Sequence, residues 1–158
     1  VMSRKVMLSM CGVVAVTGDT VLTGTTTTTM ELAGNGGVAG TDFDKLDVSG
    51  ALTFAGTLNI VSFGGYDIAQ AGTYDLFGFG SQSGNFSLVS VAGTALTDNT
   101  TSWSATNLNG NGFDYTFTLA TGDLVVAATA VPEPSTCALL AGVLILGFAA
   151  FRRRSLRL

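Results

Sequence analysis

Histidine is absent from the 158-residue chain, and cysteine and proline occur only twice each. Without histidine, imidazole metal sites and the Ser-His or Cys-His arrangements of nucleophilic catalysis lack an essential part. The two cysteines, Cys11 and Cys137, both lie inside apolar runs near opposite ends of the chain. A disulfide framework is therefore not expected. The sequence predicts neither a cofactor nor a metal centre.

Positive charge is almost missing from the long middle part of the chain. The net charge is −4, and Lys45 is the only cation between residues 6 and 151, a stretch that contains all 11 acidic residues. An acidic body repels phosphates, so nucleic acid is not an expected partner. With one lysine and no arginine there, lyase and phosphoryl-transfer chemistries also lack their usual groups. We therefore expect a protein that is not an enzyme.

The chain is rich in Gly and Thr, and charged residues make up only 11% of it. This composition is typical of short strands and tight turns. Period-two alternation of apolar and polar residues indicates strands with one buried face. It occurs in residues 46–48, 52–54, 58–60, 74–76, 86–88, 113–119 and 124–126. We predict an all-β extracytoplasmic domain over residues 17–130.

The apolar residues of these strands should form the core of that domain. The predicted core residues are Leu46, Val48, Leu52, Phe54, Leu58, Ile60, Leu76, Phe86, Leu88, Phe117, Leu119 and Val126. A turn glycine followed by alternating apolar residues recurs at Gly50, Gly56 and Gly122. Such a phrase builds either the coil of a solenoid or a hairpin of an antiparallel β-sandwich. Both architectures are consistent with the pattern.

The first 16 residues carry two possible interpretations. Arg4 and Lys5 precede an apolar run of 11 residues, Val6 to Val16. Such a run suits the hydrophobic region of a signal peptide and is too short to span a bilayer. The alternative is a truncated strand from an upstream repeat.

The polar residues of the body offer two candidate sites. Asp42 and Asp44 have the spacing of a paired-carboxylate centre, about 6.6 Å along a strand. Their turn-like surroundings argue against the buried pocket that general acid catalysis needs. The Asp/Asn/Gly clusters at residues 34–44 and 109–114 favour turn chemistry over calcium binding.

Aromatic and threonine residues offer two further candidate features. Trp103, with Tyr66, Tyr74 and Tyr115, has the ring surface to stack on sugars, although packing in the core is the favoured role. Residues Thr25 to Thr29 form a run of five threonines. We favour an extended strand for this run over a sugar-acceptor segment.

The C-terminal 28 residues differ from everything before them. Val131, Pro132, Glu133, Pro134 and Ser135 interrupt the strand pattern, because the two prolines hold the backbone extended. Residues 136–151 contain no charge and, as a helix, reach about 26 Å counted from Ser135, close to the thickness of a bilayer core.

A basic end follows the apolar segment: residues 152–158 contain Arg152, Arg153, Arg154 and Arg157. The positive-inside rule keeps these arginines in the cytoplasm. We predict a transmembrane helix at 136–151, with inner-membrane lipid around it and the acidic body on the outer side.

This order of a Pro-Glu-Pro motif, one membrane helix and an arginine-rich end resembles the PEP-CTERM sorting signal. The resemblance implies handling by an exosortase, a membrane transpeptidase-like enzyme that cuts near the motif. It also implies passage through the inner membrane of a bacterium to the cell envelope, the surface or an extracellular matrix. Exopolysaccharide is a further candidate partner in such a matrix.

The body carries a second resemblance. Residues 42–58 contain Asp-Phe-Asp-Lys-Leu-Asp-Val followed by Gly-Ala-Leu and Gly-Thr-Leu phrases. This stretch resembles the C-terminal region of autotransporter-associated β-strand repeat proteins. That resemblance implies a right-handed parallel β-helix, or its terminal cap, with the antiparallel sandwich as the alternative.

Together these features predict a non-catalytic exported surface or matrix protein with a structural or adhesive role. The alternative is a β-helix protein that binds or cleaves polysaccharide.

Overall fold

The computed structural model describes residues 11–130, which form 13 β-strands and one short 3-10 helix. The strands are β1 Val13–Val16, β2 Thr20–Val21, β3 Thr27–Leu32, β4 Lys45–Phe54, β5 Thr57–Ser62, β6 Gly72–Asp75, β7 Phe77–Gly84, β8 Leu88–Val91, β9 Thr94–Ala95, β10 Thr97–Asp98, β11 Ser102–Ala105, β12 Phe113–Thr118 and β13 Asp123–Ala128; the 3-10 helix is Leu108–Gly110. This range contains no helix long and apolar enough to cross a membrane.

Two of the three sheets are built mainly from parallel strands. In sheet I, β4 pairs with β1 and β2 on one side and with β7 on the other, so that Val14 aligns with Leu46 and Leu46 with Phe77. In sheet II, β5 lies between β3 and β8, and Met30, Ile60 and Val91 align. In both sheets the parallel neighbour lies roughly 30 residues further along the chain, which leaves enough residues for the crossover connection that parallel pairing needs.

Sheet III is antiparallel and has the strand order β10-β11-β12-β13-β6. Antiparallel pairing also occurs at the edge of sheet II, where Ala92 and Gly93, both at positive φ, join β8 to β9 as a two-residue turn of the kind that closes hairpins. Residues 119–122 join β12 to β13 in the same antiparallel sense. Parallel strands need a much longer crossover, so these short connections enforce antiparallel pairing.

The structure confirms the all-β prediction. The strand pairings also show how the molecule differs from each of the two predicted architectures, the parallel β-helix and the antiparallel sandwich. A parallel β-helix would continue the pairing of sheets I and II throughout, whereas from β9 onward the described strands are antiparallel. An antiparallel sandwich would lack the parallel pairs of β1, β4 and β7. The predicted C-terminal transmembrane helix, residues 136–151, lies outside the described residues.

One continuous apolar core joins the three sheets. At its centre, Phe54 of β4 contacts Phe77 of β7 with ring centroids 5.3 Å apart and Phe86 with centroids 5.0 Å apart. Phe117 of β12 packs against the same rings and so ties sheet III to sheet I. Edge-to-face and tilted geometries of this kind add to the stabilisation from buried area.

The predicted core is confirmed for ten of its twelve residues, which are buried. Leu46 is only partly buried and packs against the core. Leu88 was placed wrongly: 39% of it is exposed. The chain turns at Ser87, whose N–H donates to the Gly56 carbonyl at 2.7 Å, so the alternation that starts at Phe86 does not continue into β8. Val89 and Val91 face the core instead.

A corner between sheets I and II explains one glycine of the recurring phrase. Gly56 has φ +74, and a Cβ at this position would collide with the carbonyl oxygens of Thr23 and Thr26. The next residue, Thr57, donates its N–H to the Thr26 carbonyl at 2.9 Å and begins β5. Only glycine tolerates both the backbone angle and the close approach.

The C-terminal part of the predicted signal-like segment enters the fold. Residues Val13–Val16 form β1, an edge strand in register with β4, and Cys11 is buried. Residues 1–10 lie outside the described range, so the two interpretations of residues 1–16 stay predictions.

Candidate functional site

The most informative site is the point where the folded body meets the predicted sorting segment. The last strand, β13, lies inside sheet III between β12 and β6. Directly after it, the Thr129 N–H donates to the Gly112 carbonyl at 2.8 Å. The Thr129 hydroxyl donates to Asp114 Oδ1 at 2.6 Å. The described chain ends one residue later, at Ala130, so the body is fixed up to the start of the tail.

Asp114 is the side chain that holds this end in place. The same oxygen, Oδ1, also accepts the Asn107 N–H at 2.8 Å. The hydrogen bond from Thr129, followed by that from Asn107, lowers the pKa of Asp114 below its ordinary value. The carboxylate is therefore ionised near neutral pH, the form that these two hydrogen bonds favour.

The loop between β11 and β12 forms the rest of this site, and asparagine side chains shape it. Asn107 and Asn109 adopt positive φ of 48° and 53°, which asparagine tolerates better than most residues. Asn107 Oδ1 accepts the Gly112 N–H at 2.8 Å, and Asn109 Nδ2 donates to the Thr94 hydroxyl at 2.7 Å. Leu108 is buried and anchors the loop to the core.

The asparagine-glycine cluster at residues 109–114 therefore serves the loop itself. Asn111 Oδ1 accepts the Phe113 N–H at 2.9 Å, and Asn111 Nδ2 donates to the Tyr115 hydroxyl at 2.9 Å. These contacts use the amide groups that a calcium ion would need as ligands. Within residues 11–130, no group of three or more acidic, histidine or cysteine side chains is placed to hold a metal ion.

Asp44, the second member of the predicted carboxylate pair, is buried with 2% exposure. Its Oδ1 accepts the Gly12 N–H at 2.8 Å, and its Oδ2 accepts the Glu31 N–H at 2.9 Å. Burial raises the pKa of Asp44, and the hydrogen bonds from Glu31 and Gly12 work against that rise. The carboxylate thus ties the residues before β1 to β3.

Asp42 supports a different loop. Its Oδ2 accepts the Val38 N–H at 2.9 Å, and the carboxylate packs closely against Gly34 and Gly36. The two aspartates therefore bond to separate backbone segments. Asp42 bonds to its local turn, as the interpretation of residues 34–44 as turn chemistry expects, whereas Asp44 bonds to backbone that is distant in sequence.

Cys11 and Glu31 lie beside Asp44. The Cys11 thiol contacts the Glu31 carbonyl, with Sγ 3.6 Å from the oxygen. Burial raises the pKa of the thiol, and the negative charge of Asp44 raises it further. Burial and the Asp44 charge also raise the pKa of the Glu31 carboxyl. A thiol with a raised pKa is a poor nucleophile at neutral pH.

A cavity of about 120 Å³ opens between sheets I and II next to these groups. Its walls include Val14, Leu22, Thr28, Met30 and Leu46. Val14 belongs to β1, Thr28 and Met30 belong to β3, and Leu46 belongs to β4. Leu22 lies between β2 and β3. The cavity is mostly apolar, with Lys45 and Asp44 at its border.

The candidate sugar-stacking aromatic residues are mostly inside the molecule. Trp103 is 5% exposed, and its Nε1 donates to Asn85 Oδ1 at 2.8 Å. Tyr74 and Tyr115 are buried, and Tyr66 packs against the core with its hydroxyl 2.9 Å from that of Tyr74. The expected packing role of Trp103 is confirmed.

The threonine run divides between a corner and a strand. Thr25 lies in the turn before β3, whereas residues 27–29 belong to β3 and align with residues 57–59 of β5. The Thr26 hydroxyl contacts the Thr23 hydroxyl at 2.9 Å in that corner. This arrangement agrees with the extended-strand interpretation.

The predicted sorting residues Val131 to Ser135 and the arginines Arg152, Arg153, Arg154 and Arg157 lie outside the described residues. Sequence reasoning identified these residues but missed the Thr129–Asp114 contact in front of them. A threonine after an apolar strand gives no signal of its partner 15 positions earlier. The prediction of a turn at residues 109–112 was the one available clue.

Comparison with known proteins adds one finding. No curated protein and no solved structure matches the chain. Residues 130–154 match the family model of the PEP-CTERM protein-sorting motif. This range contains the Pro-Glu-Pro segment, the predicted helix and the first three arginines. The motif implies an exosortase-type partner and an exported protein that is held at the membrane for sorting. This chain therefore carries its folded β body directly in front of a PEP-CTERM protein-sorting motif.

Proposed function

We propose that the chain is a non-catalytic structural or adhesive module that an exosortase-type transpeptidase delivers to the cell surface or extracellular matrix. The observation that carries this proposal is the direct junction of two units. The folded body is hydrogen-bonded up to Thr129, and the match to the sorting motif begins at residue 130. A protein built in this way presents its whole folded part as the cargo of the sorting reaction.

The contacts of the acidic residues support the absence of catalysis in this proposal. The carboxylates of Asp42 and Asp44 accept hydrogen bonds from backbone N–H groups. A general acid and base need to reach substrate with a free oxygen. The buried state of Trp103 and of two of the three tyrosines also speaks against an aromatic sugar-binding platform, and so disfavours the polysaccharide-binding alternative.

The parallel strands support a scaffold role for the body. We propose that the parallel strands of sheets I and II form short solenoid-like coils, right-handed as the resemblance to autotransporter-associated repeats implies, and that sheet III covers their end. The register of roughly 30 residues between parallel neighbours supports this view. Exopolysaccharide is a candidate partner of such a scaffold in the matrix.

The test is release of the body in a host that contains an exosortase. The parent chain is expected to lose its tail and leave the membrane fraction. Glu133→Gln removes the one acidic charge between Pro132 and Pro134 while keeping the side-chain shape, and should leave membrane insertion intact but block release. A host without exosortase serves as the control, where both chains stay with the membrane. Equal release of parent and variant would reduce the motif to a linker.

A further inference from the structure

The structure sets an upper limit on how far the sorting motif can lie from the folded body. Thr129 is bonded to Gly112 and Asp114, so it moves with sheet III. Each following residue extends the chain by at most about 3.5 Å. Three residues separate Pro132 from Thr129 along the chain, and a segment of that length spans at most about 10 Å. The six residues to Ser135 span at most about 21 Å.

An enzyme that cuts near the motif has to approach the body equally closely. Its nucleophile must come within about 3.5 Å of the scissile carbonyl. Even a domain of about 100 residues has a radius of gyration near 13 Å, comparable to the whole reach of the segment. An enzyme bound at the motif therefore lies close to the part of the body around Thr129.

That part of the body is a preformed surface. We define the exit surface as the exposed residues around the chain end: Asn107, Asn109, Gly110, Asn111, Gly112 and Ala128. None of these six residues is charged, and the Asp114 carboxylate beside them is bonded to Asn107 and Thr129. Its backbone is held by the buried Leu108 and by the hydrogen bonds of the three asparagines.

We infer that the exit surface is the face of the body that the exosortase-type enzyme contacts while it processes the tail. This inference rests on the proposed function, because it assumes that the tail is cut. A rigid surface suits such a contact, since little conformational entropy is lost on docking. The Asp114–Thr129 hydrogen bond holds the end of the described chain against this surface.

The test adds bulk at the exit surface and measures the rate of tail removal. Ala128→Arg places a long side chain beside Thr129, on an alanine that is exposed at this end of sheet III. Ala120→Arg is the matched control, because Ala120 is exposed in the turn at the other end of β12 and β13. We expect Ala128→Arg to slow release several-fold and Ala120→Arg to release at the parent rate.

A spacer separates a steric contact from an effect on folding. About six Gly and Ser residues inserted between Thr129 and Ala130 extend the reach of the motif by a further 10 Å or more. The spacer should restore the rate of Ala128→Arg to that of the parent. Equal urea midpoints of the parent and both arginine variants would show that the folded body is unchanged.

Lipid is the other possible source of contact, and a detergent extract distinguishes it from the enzyme. The effect of Ala128→Arg should persist when solubilised enzyme and substrate react without a bilayer. Loss of the effect in detergent would assign the surface to lipid and overturn the inference, as would equal rates for the two arginine variants in cells. If the parent itself is never cut in the exosortase host, the proposed function fails instead.

Discussion

Asp44 accepts the backbone N–H of Gly12 at 2.8 Å from a position that is 98% shielded from solvent, and in this way holds the entry of the chain into β1. The other oxygen of the same carboxylate binds the N–H of Glu31 in β3. One side chain thus joins the edge strands of sheets I and II. Backbone donors are satisfied here by a carboxylate because β1 and β3 belong to different sheets and do not pair with each other.

The first prediction concerns this contact. Asp44→Asn keeps the shape but replaces one acceptor oxygen with an amide that itself donates, so one backbone N–H loses its partner. Hydrogen bonds to charged groups contribute about 1.5 to 3 kcal/mol, and we expect the free energy of unfolding to fall by a similar amount. Urea denaturation followed by Trp103 fluorescence measures it.

Asp47→Asn is the control for this substitution. Asp47 lies in the same strand region, is exposed and makes no side-chain hydrogen bond within the described range. Its substitution should change the free energy of unfolding by less than about 0.5 kcal/mol. Equal losses for the two variants would show that the Asp44 contacts do not stabilise the fold.

The second prediction concerns the corner glycine Gly56. An alanine at this position has to adopt a positive φ, which costs roughly 1–2 kcal/mol, and its Cβ collides with backbone oxygens of Thr23 and Thr26. Gly56→Ala should therefore lower the thermal midpoint strongly or prevent folding. Gly24→Ala is the matched variant, because a Cβ at Gly24 meets nothing within 4 Å. A Gly56→Ala protein as stable as Gly24→Ala would contradict the corner geometry.

Much of the strand content could be predicted from the sequence, because alternation directly reports which face of a strand is buried. Leu58 and Ile60 in β5, and Phe117 in β12, follow that pattern and are fully buried. The pattern failed at Leu88 because the corner at Ser87 resets the alternation, and that corner depends on a hydrogen bond to the distant Gly56. Periodicity is local and contains no information about such a contact.

The arrangement of strands into sheets was less accessible. The same alternation serves a parallel and an antiparallel strand, so the apolar pattern alone did not separate β-helix from sandwich. The lengths of the connections carry that information: Ala92-Gly93 closes a hairpin, whereas the crossovers between β4 and β7 allow parallel pairing. The sorting tail was readable because its proline pair, apolar run and arginines are adjacent in the chain.

The third prediction is a dependence of stability on alkaline pH. Burial raises the pKa of Tyr74 above its ordinary value of 10, and the hydrogen bond with the Tyr66 hydroxyl raises it further. A raised pKa means that the folded state holds the proton more tightly than the unfolded state. The contribution of Tyr74 to the free energy of unfolding is therefore complete below pH 10, and it decreases as the pH rises from there towards the folded-state pKa.

Urea midpoints at about pH 8 and pH 11, on either side of the ordinary tyrosine pKa, should show this loss. Tyr74→Phe removes the ionisable group, so the variant should lose less stability across the same interval, although it starts lower because the bond to Tyr66 is missing. Tyr115 also has a pKa raised by burial and will leave a residual slope in the variant. Identical pH profiles for parent and variant would exclude Tyr74 as the source.

The last prediction is the topology of the chain during sorting. The body contains nearly all the negative charge, while four of the seven cations follow residue 151. Arginines next to an apolar segment resist translocation, so we expect the end of the chain in the cytoplasm and the body outside it. A reporter that fluoresces only in the cytoplasm should be bright when fused after Leu158, and protease added to spheroplasts should reach the body.

Neutral residues in place of Arg152, Arg153 and Arg154 remove most of the orienting charge and should produce a mixture of orientations, with a dimmer reporter. A body protected from protease in the parent chain would reverse the assignment, and it would also remove the basis for processing on the outer side, because an enzyme there could not reach Glu133.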